Sequence, residues 1–154
     1  MIRKAELKDL EAIAGLLDQV HALHAEGRPD LFIAGTRKFS DDELKEILAG
    51  DEINFHVYTE NDEVLAYVCY LIREKKDSRS RKGRREFYIE DICVDEKQRH
   101  KGIASKLFEY AEELAKKEGC DVLTLNVWEL NRTARTFYEG RGMKPLKTIM
   151  EKKI

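Results

Sequence analysis

Apolar residues recur along this chain with two periods, near 3.6 and 2, and the places where one gives way to the other mark its elements. Met1 to Leu7 reads as an edge strand. From about Lys8 to His24, Leu10, Ile13, Leu16, Leu17, Val20 and Leu23 form one stripe of a helix, which Gly27 and Pro29 bring to a stop. Leu31 to Phe39 has no period. Ser40-Asp41-Asp42-Glu43 is a capping-box signature opening a short helix that Gly50 closes. Two strands follow, near Asn54–Thr59 and Val64–Arg73, joined by the turn residues Glu60-Asn61-Asp62-Glu63. Tyr88 to Val94 alternates again. After a polar turn, Ile103, Leu107, Tyr110, Ala111 and Leu114 mark a long helix that ends at Gly119. Val122 to Trp128 reads as a strand, Asn131 to Glu139 as a short helix with Ala134, Phe137 and Tyr138 on one face, and Leu146 to Lys152 as a last strand. The strand–helix–strand unit from Phe87 to Val127 is expected to be parallel with a right-handed crossover. The result is one α/β domain over residues 1–154, with a mixed sheet and flanking helices.

Composition narrows the classes. The chain has 154 residues, enough for a core without disulfides or metal. Charged residues make up 38%, yet the net charge is −2, so the signs are mixed and no general attraction to nucleic acid is expected. No apolar stretch is long enough to span a bilayer, and the N-terminus has no signal-peptide core; a cytoplasmic location is the expectation. Cys69, Cys93 and Cys120 have no metal-binding spacing and read as reduced, small apolar fillers. Between Arg73 and Glu86, eight Lys or Arg face three acids without an aromatic residue among them. That composition fits a solvated hairpin tip and lacks a stacking platform for single-stranded RNA.

The chemistry begins at Arg99-His100-Lys101-Gly102-Ile103-Ala104, between the Tyr88–Val94 strand and the long helix. A helix N-terminus offers free N–H groups and the positive end of its dipole, and Gly102 without a Cβ lets an anion come close. Arg99, His100, Lys101 and Lys106 add positive charge. Neither the three glycines of a dinucleotide fingerprint nor the Gly-Lys-Ser/Thr of a triphosphate loop is present. The pattern Arg-x-x-Gly-x-Ala resembles the pyrophosphate loop of the GNAT N-acyltransferase superfamily. The later run Asn131-Arg132-Thr133-Ala134-Arg135-Thr136-Phe137-Tyr138-Glu139-Gly140-Arg141-Gly142-Met143 resembles that family's other hallmark, Asn-x-x-Ala-x-x-Phe-Tyr-x-x-x-Gly-Phe/Met. The two stand in the family's order and at its separation, and the resemblance covers essentially the whole chain.

The resemblance implies a GNAT-like sheet with a splayed parallel strand pair and acetyl-CoA in the cleft between the two strands. The pantetheine arm would pair with backbone groups of Ile92, Cys93 and Val94 like an added strand. The pyrophosphate would lie over the N–H groups of Arg99, His100, Lys101, Gly102, Ile103, Ala104 and Ser105. Asn131 would cap the last helix and hold the pantetheine or its neighbours, and Tyr138 would face the sulfur as the acid for the leaving thiolate. Tyr-Ile-Glu-Asp-Ile-Cys-Val, from Tyr88 to Val94, is similar to the corresponding strand of spermidine/spermine N-acetyltransferases, which makes Glu90 the expected base. Strand alternation puts Glu90 on one face with Tyr88 and Ile92, and Asp91 on the other as a structural residue; a bulge would upset that parity. The plainer reading of Glu90 is a strand-face carboxylate paired with a Lys or Arg. His100 stands where many relatives carry Gly.

The acceptor is less defined. Glu26, Asp30, Phe32 and Tyr88, with His21, His24 and Arg28, fall where this family shapes its acceptor side; the two acids would attract a cationic amine, while the plainer reading is a solvated cluster at the helix end. A polyamine-like or other small amine, an aminoglycoside, and a protein N-terminus or Lys all fit, and a homodimer is allowed. The expected activity is direct acetyl transfer from acetyl-CoA to a primary amine, without a covalent enzyme intermediate. A non-catalytic acyl-CoA sensor would need neither Glu90 nor Tyr138, and an RNA- or ribosome-associated module would act through residues 73–85.

Overall fold

A computed structural model describes all of residues 1–154. Its centre is a five-stranded sheet in the order β1-β2-β3-β4-β5, built from Ile2–Lys4, Asn54–Glu60, Glu63–Lys75, Arg84–Val94 and Val122–Leu125. The first four strands are antiparallel neighbours, and β5 pairs parallel to β4. Helices α1 (Leu10–Gly27) and α2 (Asp41–Ala49) cover one face; α3 (Ile103–Lys117) and α4 (Arg132–Gly140) cover the other.

Side-chain period divides the core into two layers. Phe55, Val57, Tyr67, Cys69 and Cys93 point from the sheet toward Ile13, Leu16 and Leu17 of α1 and Leu44 of α2. Ala66, Val68, Tyr70, Phe87 and Ile89 point the other way, toward Ile103, Leu107, Phe108 and Ala111 of α3. Fully burying aliphatic and aromatic side chains of this size stabilises by about 1.5–3 kcal/mol each, so these two layers hold the sheet in place. Ser40 caps α2 as the sequence indicates: its side chain accepts from the Glu43 N–H while the Glu43 carboxylate accepts from the Ser40 N–H. Gly119, at φ +65°, supplies the left-handed residue beyond α3.

Three expectations change. The strand expected over Val122–Trp128 stops at Leu125, because the chain then leaves β4 for the loop before α4. The edge strand at the N-terminus is limited to Ile2–Lys4, and Leu7–Asp9 winds into a 3-10 turn closed by the Arg3–Asp9 ion pair at 2.7 Å. The last strand, Leu146–Lys152, is not formed. Its apolar residues Leu146, Ile149 and Met150 are exposed, and the segment is tied down by ion pairs of Glu151 with Arg28 (2.6 Å) and Lys153 with Asp30 (3.3 Å). A strand's residue pattern forms no strand without a neighbouring edge to bond to.

Candidate active site

The site lies where β4 loses its partner. Pairing of β4 with β5 ends at Ile89 opposite Leu125, so from Glu90 to Val94 the edge of β4 that faced β5 is unpaired. On its other edge β4 stays bonded to β3, but with an interruption: Asp91 lies opposite Cys69 and Ile89 opposite Tyr70, which leaves Glu90 as the extra residue of a bulge.

The bulge overturns the alternation read from the sequence. Asp91 is on the α1 face, where its Oδ2 accepts from the Tyr67 hydroxyl at 2.6 Å. Ile92 and Val94 fall on the α3 face instead. Cys93 keeps to the α1 face, with its thiol directed at the Leu16 carbonyl 3.4 Å away. Glu90 therefore shares a side with Asp91 rather than with Ile92, because an added residue shifts every later side chain by one face.

Glu90 is held by two cations. Lys38, from the loop before α2, pairs with its Oε2, and Arg73 lies 3.8 Å from its Oε1. The Arg73 guanidinium also stacks 3.4 Å over the Tyr88 ring, and the Tyr88 hydroxyl accepts from the Asn126 amide at 2.9 Å. Asp91 has only Tyr67 as a side-chain donor. Burial raises its carboxyl above the ordinary aspartate value and Glu90 adds to that, while the Tyr67 bond and Lys38 oppose it.

Tyr138 reaches the same edge from the α3 side, packed against Phe108 and Phe137 in the layer that holds Ile92 and Val94. Its hydroxyl has no partner within the protein. Burial, and then the charge of Asp91, push its pKa well above the ordinary tyrosine value, so it stays a proton donor. Asn131 caps α4, its Oδ1 accepting from the Ala134 N–H at 3.1 Å.

Beyond Val94, a 3-10 turn (Glu96–Gln98) leads into the α3 N-terminus. None of the backbone N–H groups from Arg99 to Ser105 has an acceptor in the protein, and Gly102 offers no side-chain cap. Gly102 takes φ +76°, and a Cβ there would meet nothing within 4 Å. Its glycine is thus required by backbone conformation, and the space above it is open. His100 also takes a positive φ, +64°, which a residue with a Cβ adopts only at a cost; this is the physical reason a glycine suits that position. Lys106 is turned away from the loop, its Nζ 3.4 Å from the Tyr58 hydroxyl, and Lys101 bonds Gln98 at 2.6 Å.

The far end of the cleft is aromatic. Phe32 packs on His24 (5.1 Å between centroids) and edge-on to Trp128 (5.3 Å), with His21 5.8 Å from Phe32. His21 anchors the 31–37 loop through the Ile33 carbonyl (2.7 Å) and the Thr36 hydroxyl (3.1 Å). The α1 end and the 126–131 loop touch, since a Cβ on Gly27 would come within 2.9 Å of Leu130. Of the two acids expected here, Glu26 is exposed and unpaired, whereas Asp30 is occupied by Arg28 at 2.9 Å and by Lys153. Lys38, Arg73 and Asn126 were not legible as members of the site, because each meets its partner only through tertiary packing, whereas Trp128 packs on Phe32 as its reading as packing or cleft wall expects. Residues 76–82, at the tip of the β3–β4 hairpin, are exposed. No group of three or more His, Cys, Asp or Glu is placed to hold a metal ion, and no helix is long and apolar enough to cross a membrane.

Comparison with known proteins follows the same outline. The family model of the acetyltransferase (GNAT) family matches residues 18–143. An uncharacterized N-acetyltransferase of Lactobacillus delbrueckii subsp. lactis is 42% identical over 55 residues, 36% of this chain and 32% of that one. Thialysine N-epsilon-acetyltransferase of Bos taurus is 37% identical over 62 residues, 40% of this chain and 36% of that one. The match therefore spans about a third of the length of these curated relatives. A crystal structure of a mutant BH1408 protein from Bacillus halodurans superimposes with a TM-score of 0.95 at 28% identity, over 100% of this chain and 99% of that one. With a family match over most of its length and both hallmark segments at one cleft, the chain belongs to the acetyltransferase (GNAT) family.

Proposed function

We propose that this protein is an acetyl-CoA-dependent N-acetyltransferase that passes the acetyl group directly to a primary amine held in the same cleft. The observation that carries the reading is the continuity between the unpaired edge of β4 at Ile92–Val94 and the unsatisfied N–H groups of Arg99–Ser105. A strand-like pantetheine arm and an anionic pyrophosphate would find partners there in the order in which they occur in coenzyme A. The residues present fit the group: Gly102 leaves the space above the loop open, and the α3 N-terminus carries no competing cap. Acetyl-CoA supplies an activated acyl carbon on a thioester.

The chain's own residues do the rest. An alkylamine with a pKa of about 10.4 is protonated near pH 7, and freeing it costs about 4–5 kcal/mol. A carboxylate on the α1 side of the β4 edge meets that need. The resemblance points to Glu90 for that role, although both of its oxygens already face cations, Lys38 and Arg73. Tyr138, on the opposite side, keeps its proton available for the departing sulfur. The backbone N–H of Val94, on the unpaired edge of β4, would be the donor for the thioester oxygen; losing such a donor costs roughly 3–4 kcal/mol elsewhere. Holding amine and thioester together contributes on a comparable or larger scale.

His24, Phe32 and Trp128 favour a cationic, small amine as acceptor by offering it aromatic faces, and Glu26, exposed near the end of α1, adds a carboxylate without an ion-pair partner. Free-thiol release from acetyl-CoA with a panel of diamines, amino acids and lysine peptides tests the reading. Amine-dependent release with a preference for small cationic amines is expected. Acetyl-CoA binding without release by any amine would contradict it.

A further inference from the structure

The bulge in β4 sets two adjacent carboxylates on one face of the sheet at the edge where the acceptor amine must approach. Their surroundings differ. Both oxygens of Glu90 face cations, Lys38 at Oε2 and Arg73 at Oε1, and Arg73 is itself fixed over Tyr88. A proton arriving at Glu90 would dissolve both pairings. Asp91 has one side-chain donor, Tyr67 at Oδ2, with the Ile92 N–H as its backbone partner, and no cation is paired with it. Tyr67 is fully buried and wedged against Phe55 at 5.2 Å, so the bond cannot swing away.

We propose that Asp91, rather than Glu90, takes the proton from the acceptor ammonium, with Tyr67 as the residue that positions it. The inference rests on the acetyl-transfer reading. The N–H bond of the ammonium breaks, Asp91 Oδ1 gains the proton, and the nitrogen lone pair becomes free for acylation. The proton leaves Asp91 for solvent after the amide departs. Glu90 then serves as an electrostatic strut holding Lys38, and with it the loop before α2, against the root of the hairpin.

The charged and titratable groups around Asp91 come from every neighbouring element. They are Tyr67 and Cys69 on β3, Glu90 and Cys93 on β4, Tyr138 on α4 and Lys38 on the loop before α2. Cys69, Cys93 and the two tyrosines are all raised, burial being the largest cause for each, and remain neutral through the range in which a carboxylate titrates. Burial likewise lifts Asp91 above the ordinary aspartate value. A base with that elevation is closer in strength to its amine than an unperturbed carboxylate is.

Two measurements decide the proposal. The first is the pH profile of kcat/KM for wild type, Glu90→Gln, Asp91→Asn and Tyr67→Phe. Asp91→Asn is expected to lose about 100-fold or more and its acidic limb, the scale of a lost general base. Glu90→Gln should lose less than about tenfold and keep the limb. Tyr67→Phe should stay active with the limb moved to higher pH, because a bond to the ionised carboxylate is gone. The second is a carboxyl-carbon NMR titration of the free protein, which needs neither turnover nor the Asp91→Asn variant to fold. Asp91 is expected to titrate above about 3.9, the ordinary aspartate value. Asp91 titrating at or below that value, or Glu90→Gln alone abolishing the limb, overturns the proposal. A wild type that binds acetyl-CoA, shows an elevated Asp91 and acetylates no amine refutes the transferase reading, and the Asp91 role with it.

Discussion

Arg73 lies 3.4 Å above the ring of Tyr88, and through that stack the basic root of the β3–β4 hairpin is joined to the floor of the cleft. The guanidinium lies 3.8 Å from Glu90 as well, so one side chain holds an aromatic face and a carboxylate in register. A cation–aromatic contact at a partly exposed site is worth about 0.5–1 kcal/mol. Arg73→Ala is expected to lower stability by that amount in urea unfolding and to raise the KM for amine. Arg73→Lys should restore little, since a lysine lacks the planar group that stacks.

His56 makes stability depend on pH. It is 8% exposed, sandwiched between Tyr70 (5.6 Å) and Tyr110 (5.3 Å), and burial, with a smaller push from Lys4, lowers its pKa from 6.5 to about 4. Between those values the unfolded chain binds a proton that the folded chain refuses. The contribution is therefore fully present above pH 6.5 and is lost as pH falls toward 4. Its size is on the order of 2–3 kcal/mol. Thermal unfolding across this window should show a slope that His56→Phe removes; an unchanged slope in the variant would assign the effect elsewhere.

The pyrophosphate loop carries two left-handed residues, and only one is a glycine. His100→Gly should stabilise by about 0.5–1 kcal/mol by relieving the Cβ penalty at φ +64°. Gly102→Ala should destabilise by about 1 kcal/mol through conformation alone, the space there being open. It should also weaken acetyl-CoA binding, because the free N–H groups on either side would turn. Calorimetry with acetyl-CoA on both variants checks the pair.

The chain's single tryptophan, Trp128, is 41% exposed and forms the cleft wall with Phe32. Binding of a cationic amine should change its emission. Trp128→Ala is expected to raise the KM for such an amine about 3- to 20-fold, the range of a desolvated cation–aromatic contact, while kcat changes less. Emission that stays flat through saturation would move the acceptor away from this wall.

What could be read from one sequence, and what could not, divides along a physical line. The stripe from Leu10 to Leu23, the Ser40–Glu43 cap and the glycine at 119 act locally, and the elements they imply are present. So are the strand pairing of the hairpin and the parallel strand after the long helix. The Glu90 bulge is invisible to a period-of-two rule because it is defined by what lies opposite on β3. That one residue moved Asp91 and Ile92 to unexpected faces. Leu146–Lys152 has a strand's residues and no edge to bond, so its pattern misled. Phe32 and Trp128 are joined by packing across the cleft, and nothing near either residue in sequence announces the other.

The central claim is met most directly by incubating the protein with acetyl-CoA and the best amine of the panel, then following free thiol and acetylated amine together by mass spectrometry. The account predicts equal amounts of both products from wild type, and a sharp fall in both for Tyr138→Phe with acetyl-CoA still bound. No acetyl-CoA binding by calorimetry, or thiol release that yields no acetylated amine, would contradict it.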